Sequence, residues 1–408
     1  MADFESKNAG GIYLYEWKEG QLAGLSIQID KLHDDSKGNP TGEILLKYPP
    51  VYHHLHQTRY SLLSTRSRKE VANYCKSRLE GPDWDWLLEL VSVKTITSYR
   101  EGEPVQRLGD IVAPEHIHYR LPPYLIEGAP NVIYGYGGLG KSIIAAYLAT
   151  LVQEAYPVGT MIPEPGPVLY LDYEASPESQ SRRFKHIYQG LELDPNASVL
   201  YRFCHLSLAT DIQHIQRIVI ERGIQLVIID SAGPACGGEP EKSGPAISFF
   251  VALRSLRVTS LVVAHKNKTD TGIGPFGSVY WWNYPRNIYE IKRQQDVESN
   301  TIHVAMIHRK ANDDMLHKPQ GLSINFGLGA ITLGMESIKD IPEFEGEMAI
   351  KDRIVDTLSH GAMTIKDIAQ ELSEKEDSIR HALNRGKDKT FVQVGTNLGN
   401  VLWGLLHR

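Results

Sequence analysis

One stretch decides most of what this chain can become: Pro130 to Leu151, PNVIYGYGGLGKSIIAAYLATL. The apolar run Val132-Ile133-Tyr134 has the character of a buried strand, and Ile143, Ile144, Tyr147, Leu148 and Leu151 recur at helical spacing. Between them, Gly135-Tyr136-Gly137-Gly138-Leu139-Gly140-Lys141-Ser142 fits G-x-x-x-x-G-K-S in full, in the strand-turn-helix context the motif demands. These residue types are what a polyphosphate needs. A backbone wrapped round its oxygens requires glycine where side chains would block the approach or φ turns positive. Gly135, Gly137, Gly138, Leu139, Gly140, Lys141, Ser142 and Ile143 are therefore expected to bind a nucleotide, aided by the amides and dipole of the helix starting near Lys141. Lys141 would set a cation against the β- and γ-phosphates of ATP, and the Ser142 hydroxyl would hold Mg²⁺.

Downstream, continuous apolar strands alternate with helical segments, the pattern of an α/β fold whose parallel sheet binds ligands at the carboxyl ends of its strands. Gly166 to Glu174 is one such strand, ending in acidic residues, and Glu174 at its end is placed to polarise a water for attack on the γ-phosphate. The same acid would also suit the start of the helix that follows Ser176-Pro177. Ile224 to Ile229 is a second apolar run, closing on Asp230, whose carboxylate would orient the metal's water shell opposite Ser142. A third, Ser260 to Ala264, ends in His265-Lys266-Asn267-Lys268, where His265 would sense the phosphate or simply terminate the strand. The Gly/Pro-rich stretch Ala232 to Pro245, with Lys242, is long for a connection, as functional loops are. Lys266 and Lys268 beside Trp281 and Trp282 suit single-stranded nucleic acid, where phosphates meet cations and bases stack; packing of those rings on the core is the alternative.

The flanks are less specific. With 408 residues, two or three domains are expected. Residues 1–109 alternate in strand-like fashion from Gly11 to Gln28 and again over Glu43–Lys47, then turn helical over Thr65–Leu79 and Trp84–Val93, which predicts a small α+β domain that binds a partner or caps an oligomer. His53, His54 and His56 lack a neighbouring carboxylate or cysteine at ligand spacing, so surface or packing roles are expected of them. Ile111 to Gly128 reads as an extended connector, with His118, Tyr119 or Arg120 either flanking an adenine or packing. After a hairpin-like pair, Arg286–Lys292 and Thr301–His308, the chain changes character near residue 339. Three helical segments and a terminal hairpin follow, the order of a winged helix. Over residues 379–408, Arg380, Arg385, Lys387, Lys389 and Arg408 face Asp388 alone, and five minus one leaves +4, a sign that suits DNA phosphates. Winged helices also bind proteins. The whole chain carries a formal charge of −6, so any nucleic-acid binding must come from such local patches. Three cysteines without metal-ligand spacing, no leader-like N-terminus and no bilayer-length apolar run point to a cytoplasmic setting away from membranes.

Taken in order, the P-loop, Glu174, Asp230, His265 and the stretch Phe276-Gly277-Ser278…Asn283…Arg286 resemble the RecA superfamily, and within it the RepA-type hexameric replicative helicases of plasmids and phages. The resemblance spans roughly residues 111–335 and implies a RecA-like core over 110–338 between the N-terminal domain and a winged helix over 339–408. It implies an ATP-hydrolysing motor on single-stranded DNA, built as a homo-oligomeric, hexameric ring, with Glu174 as base and Arg286 as a finger on the neighbour's ATP. Arg309 and Lys310 are further candidates for that contact across the interface. Lys141 and His265 complete the expected catalytic set, Lys242, Lys266 and Lys268 would follow the strand, and the N-terminal domain would meet a replication protein. Recombinase- or KaiC-like ATPases that do not unwind, and ATP-switched loaders or DNA-bound regulators, share the same motifs.

Overall fold

The computed structural model describes residues 4–102, 105–112, 114–196, 199–266, 274–295, 299–338, 341, 344, 348–397 and 399–406. The chain opens with β1 (Glu5–Ala9), β2 (Ile12–Glu16), β3 (Ser26–Asp34), β4 (Pro40–Tyr48) and β5 (Tyr52–Ser61), an antiparallel meander in sequence order. Two helices follow, α1 (Thr65–Arg78) and α2 (Trp84–Glu101), capped by Ser64 and Asp83, whose side chains accept from the amides of Ser67 and Trp86. Trp17, Ile27, Ile44, Leu55, Leu87 and Val91 centre one apolar cluster between sheet and helices. Helix α2 runs beyond the expected Val93 because Ile96 and Tyr99 keep packing on that cluster. His56 stacks on Tyr74 at 4.0 Å, and no group of three potential ligands is placed to hold a metal among the described residues.

The predicted connector contains a small hairpin, β6 (Tyr119–Leu121) and β7 (Leu125–Ile126). The central fold then runs β8 (Pro130–Gly135), α3 (Lys141–Gln153), β9 (Val168–Asp172), α4 (Pro177–Gly190), β10 (Leu200–Phe203), α5 (Leu208–Arg222), β11 (Leu226–Asp230), α6 (Ala232–Ala235), α7 (Ser243–Ser255), β12 (Thr259–His265), α8 (Tyr280–Asn283), β13 (Asn287–Gln294), β14 (Thr301–Ala311), β15 (Gln320–Phe326) and β16 (Ile331–Glu336). Nine strands make one sheet in the order β10-β9-β11-β12-β8-β13-β14-β15-β16. The first six are parallel and the last three join antiparallel. Both faces are covered, which is why β8, β9, β11 and β12 are apolar at nearly every position. Ile133, Tyr170, Ile228 and Val263 meet α3 and α4 on one face, and Val132, Leu171, Ile229 and Val262 meet α5 and α7 on the other.

Helix α3 departs from the amphipathic pattern. From Ile144 to Val152 every residue is buried, since the sheet curls until β16 reaches the helices over its own face. The Tyr147 hydroxyl donates to the Leu333 carbonyl at 3.4 Å, and a Cβ on Gly190 would lie 2.0 Å from the Ile331 oxygen, so only glycine fits where α4 meets that strand.

The loop expected over 232–245 is shortened by α6 and the start of α7 to residues 236–242, because Pro240 is tied down: its carbonyl accepts from the Ser278 amide at 2.8 Å and the Trp281 indole at 3.0 Å. The N-terminal sheet docks on α5 through Lys47–Glu221 at 2.8 Å and Arg217–Asp30. Past β16, Ile338, Ile341 and Phe344 still pack on Ala305 and Ile307. The chain ends with α9 (Ile350–Ser359), β17 (Met363–Thr364), α10 (Ile365–Glu371), α11 (Glu376–Arg385), β18 (Phe391–Asn397) and β19 (Asn400–Leu405) around Ile354, Leu358, Ile368, Ile379, Leu383, Phe391 and Trp403. Thr364 and Asp367 form a reciprocal capping box at α10. No helix among the described residues is long and apolar enough to cross a membrane.

Candidate active site

The carboxyl ends of β8, β9, β11 and β12 bring the sequence-marked residues together. Gly135 ends β8 pressed against β13, where a Cβ would meet the Ile291 carbonyl at 2.6 Å. The loop then turns into α3 through Gly140, whose φ of +83° leads the helix from the left-handed region that glycine favours. Lys141 is buried beneath the loop, its ammonium donating to the carbonyls of Gly135 at 3.0 Å and Tyr136 at 2.6 Å. Arg293, which no local motif marks, donates from β13 to the Gly138 carbonyl and places a second cation at the loop.

Burial lowers the Lys141 ammonium to about 8, against the pull of Asp230 and Glu174. A phosphate partner favours the charged form and restores the usual value. Below pH 8 the charge is already present; above it, binding must first take up a proton. ATP affinity is therefore expected to hold below pH 8 and to fall by up to about tenfold per pH unit above it. Calorimetry in two buffers of different ionisation heat checks this through proton uptake at pH 9, and a flat profile would contradict it.

Asp172 shapes the turn after β9. Its buried Oδ1 accepts from the amides of Glu174 at 3.0 Å and Ala175 at 2.9 Å, which lifts the Glu174 side chain over the strand ends. Helix α4 is capped by Ser176, which accepts from the Ser179 amide at 3.2 Å, so Glu174 has no capping duty. Its Oε1 instead accepts from the Ser231 hydroxyl and faces His265 Nε2 at 3.4 Å. The His265 hydrogen bond, then that of Ser231 and the charge of Lys141, hold the Glu174 carboxyl below its ordinary value against burial. It is thus ionised at neutral pH, as a base must be.

Asp230 is different. Burial raises its carboxyl, opposed by the hydroxyls of Tyr170 and Ser142 and the charge of Arg183 on α4. Oδ2 accepts from Tyr170 at 2.7 Å, while the buried Oδ1 has no hydrogen-bond partner among the described residues. An orphaned carboxylate oxygen near the Ser142 hydroxyl is a donor set that fits Mg²⁺ and its water.

Other sequence-marked residues stand elsewhere. Arg120 is buried, pairs with Glu127 and donates to the Pro165 carbonyl at 3.2 Å, at the sheet edge opposite the P-loop, which removes it from any adenine. Lys266 is not an exposed strand-tracking cation, because its ammonium pairs with buried Glu290 at 2.7 Å. Lys268 lies outside the described residues. Trp281 is buried against Phe249 and Phe250, so that ring packs the core and cannot stack on bases. Lys242 is exposed beside Glu239 at 3.2 Å. Arg380 pairs with Asp377 on the surface of α11, and Arg385 and Lys387 are exposed at that helix's end.

Arg286 lies at the start of β13, where its amide donates to the Pro130 carbonyl at 3.0 Å. That is the far end of β8 from Gly135, about 17 Å along the strand at about 3.3 Å per residue. Its guanidinium is 48% exposed, 3.8 Å from Asp313. Lys310 is spent on the carbonyls of Trp282, Asn283 and Pro285, and Arg309 on Glu290 at 2.7 Å.

Residues 100–271 match the AAA domain family, a span that takes in the P-loop, Glu174, Asp230 and His265. No curated protein sequence matches the chain. Among solved structures, a KaiC-like protein of the hyperthermophilic archaeon Pyrococcus horikoshii OT3 superposes with a TM-score of 0.40 at 13% identity, covering 54% of this chain and 99% of that one. Over residues 100–271 the chain is thus similar to AAA domains, and the complete P-loop and a strand order that sets β12 between the P-loop strand and the Asp230 strand fall in that span.

Proposed function

We propose that the chain is an ATP hydrolase that drives motion along single-stranded DNA as a ring of identical subunits, a replicative helicase in its fullest form. The observation that carries the hydrolytic reading is the ionised Glu174 carboxylate, held by Ser231 and His265 at the strand ends that also carry Lys141 and Asp230. Glu174 takes the proton of a water whose oxygen attacks the γ-phosphorus; the bond to the β-phosphate bridging oxygen breaks and ADP leaves. Lys141 steadies the β- and γ-oxygens, and His265 orients the base and registers the departing phosphate. Ser142 and Asp230 would hold Mg²⁺, which neutralises phosphate charge when bound.

Arg286 supports assembly. Half-exposed beside Asp313 and at the strand end away from its own P-loop, it is too far from its own nucleotide to serve it and would act on a neighbour's, as a finger does. The C-terminal unit we read as a winged helix that sets Arg380, Arg385 and Lys387 against DNA phosphates, and the N-terminal unit as the contact for a replication partner. The pairing of Lys266 with Glu290, which takes that cation from a DNA strand, favours a second reading, an ATPase that assembles on DNA or protein without unwinding.

Two measurements on one preparation test this. Single-stranded DNA should stimulate ATP turnover and forked DNA should be separated; stimulation with the duplex left intact selects the second reading. Mixing Arg286→Ala with Lys141→Ala chains should restore part of the turnover each lacks, since one supplies a competent P-loop and the other a competent finger. A mixture as inactive as its components removes Arg286 from the interface.

A further inference from the structure

Behind the P-loop strand lies a charged cluster that the site described above does not use. Glu290 of β13 stands in register with Tyr134 of β8 and Ile307 of β14, and is 3% exposed. Its Oε1 accepts from Lys266 Nζ at 2.7 Å, and its Oε2 from Arg309 Nε at 2.8 Å and the adjoining guanidinium nitrogen at 2.7 Å. Lys266 directly follows His265. Its own amide donates to the Gly135 carbonyl at 3.0 Å, and its ammonium lies 5.7 Å from the centre of the Tyr136 ring. One buried carboxylate thus joins the first residues of the P-loop, the end of the strand that carries His265, and β14.

Packing alone does not call for such a group. Taking an acid and two cations out of water is expensive, and apolar side chains of similar volume would stabilise the same place at least as well. What the cluster adds is direction. Two guanidinium nitrogens of Arg309 converge on Oε2, and Oε1 is left to Lys266 as a single well-defined seat. With Lys266 seated, the preceding residue is held where its imidazole meets the base.

We propose that Glu290 is a positioning residue for hydrolysis, gripping Lys266 so that His265 stays on Glu174 and gripping Arg309 so that this strand end is tied to β14. The proposal rests on Glu174 being the base. Glu174 is faced by His265 from β12, Ser231 after β11, Lys141 from α3 and, at longer range, Asp230. The His265 hydrogen bond is the largest influence keeping its carboxyl low, so loosening that contact has a signature in pH as well as in rate.

The test uses the full chain with Lys266→Met, which leaves one acid facing one cation and so keeps the buried charge balanced, and with Glu290→Gln as the companion. For Lys266→Met, kcat is expected to fall by about tenfold or more while the ATP dissociation constant stays within about twofold. The acid limb of the kcat profile should move toward neutral pH. Glu290→Gln should shift the same limb in the same direction. A Lys266→Met chain with wild-type kcat and an unmoved acid limb would overturn the proposal and leave Glu290 a structural pair; loss of ATP binding in parallel with kcat would overturn it too, by placing the damage in the P-loop. A wild-type chain with no ATP turnover fails at the site itself, and takes the proposal with it.

Discussion

Lys141→Ala is expected to lose ATP turnover altogether and to weaken ATP binding by at least about a hundredfold, the scale of one buried charge-assisted contact in an affinity. The side chain is buried under the loop and points its ammonium at two loop carbonyls. Removing it should not unfold that loop, because the Gly135 carbonyl keeps the Lys266 amide at 3.0 Å and Tyr136 is exposed to water. The loss therefore reports on phosphate binding. Calorimetry with ATP and magnesium on the variant, its fold checked by a melting curve, is the check, and wild-type affinity in a folded Lys141→Ala chain would remove the nucleotide from this site.

The second large effect concerns the base. Glu174→Gln keeps the side-chain shape and can still meet Ser231 and His265, but it cannot take a proton from water. Turnover should drop by about a hundred- to ten-thousandfold with ATP binding retained, the usual range for losing a positioned general base. Since the wild-type carboxyl is held below its ordinary value, the native enzyme should keep its rate down through mildly acidic pH and lose it only as Glu174 itself protonates. Single-turnover kinetics on the ATP-loaded variant would show trapped nucleotide. A Glu174→Gln chain that releases ADP at the native rate would move the base to another residue.

Local sequence carried the nucleotide site because its parts bring their own context: a glycine turn between strand and helix, and acids at the ends of apolar strands. What it could not carry are contacts made across the sheet. Ser231 meets Glu174 only because β11 lies beside β9, and Arg293 reaches Gly138 only because β13 lies beside β8. Lys266 illustrates the cost. Two lysines near tryptophans read as a basic patch in water, yet the carboxylate that claims Lys266 arrives from β13, and Trp281 turns inward onto two phenylalanines. The AAA match ends at residue 271, before Glu290, Arg309 and the antiparallel strands that complete the sheet. Helix α3 did hold a readable sign in Ala145, Ala146 and Ala149, small apolar residues where a surface helix would carry charge.

The curl of the sheet makes α3 a piston in a closed sleeve. Close-packed interiors compress little, so a displacement at the Lys141 end would not be absorbed within the helix. Tyr147 of α3 and Gly190 of α4 touch Leu333 and Ile331, at the outer rim of the sheet some 190 residues along the chain from the loop. A displacement begun at the loop would therefore be felt at β16, the last strand before the C-terminal unit.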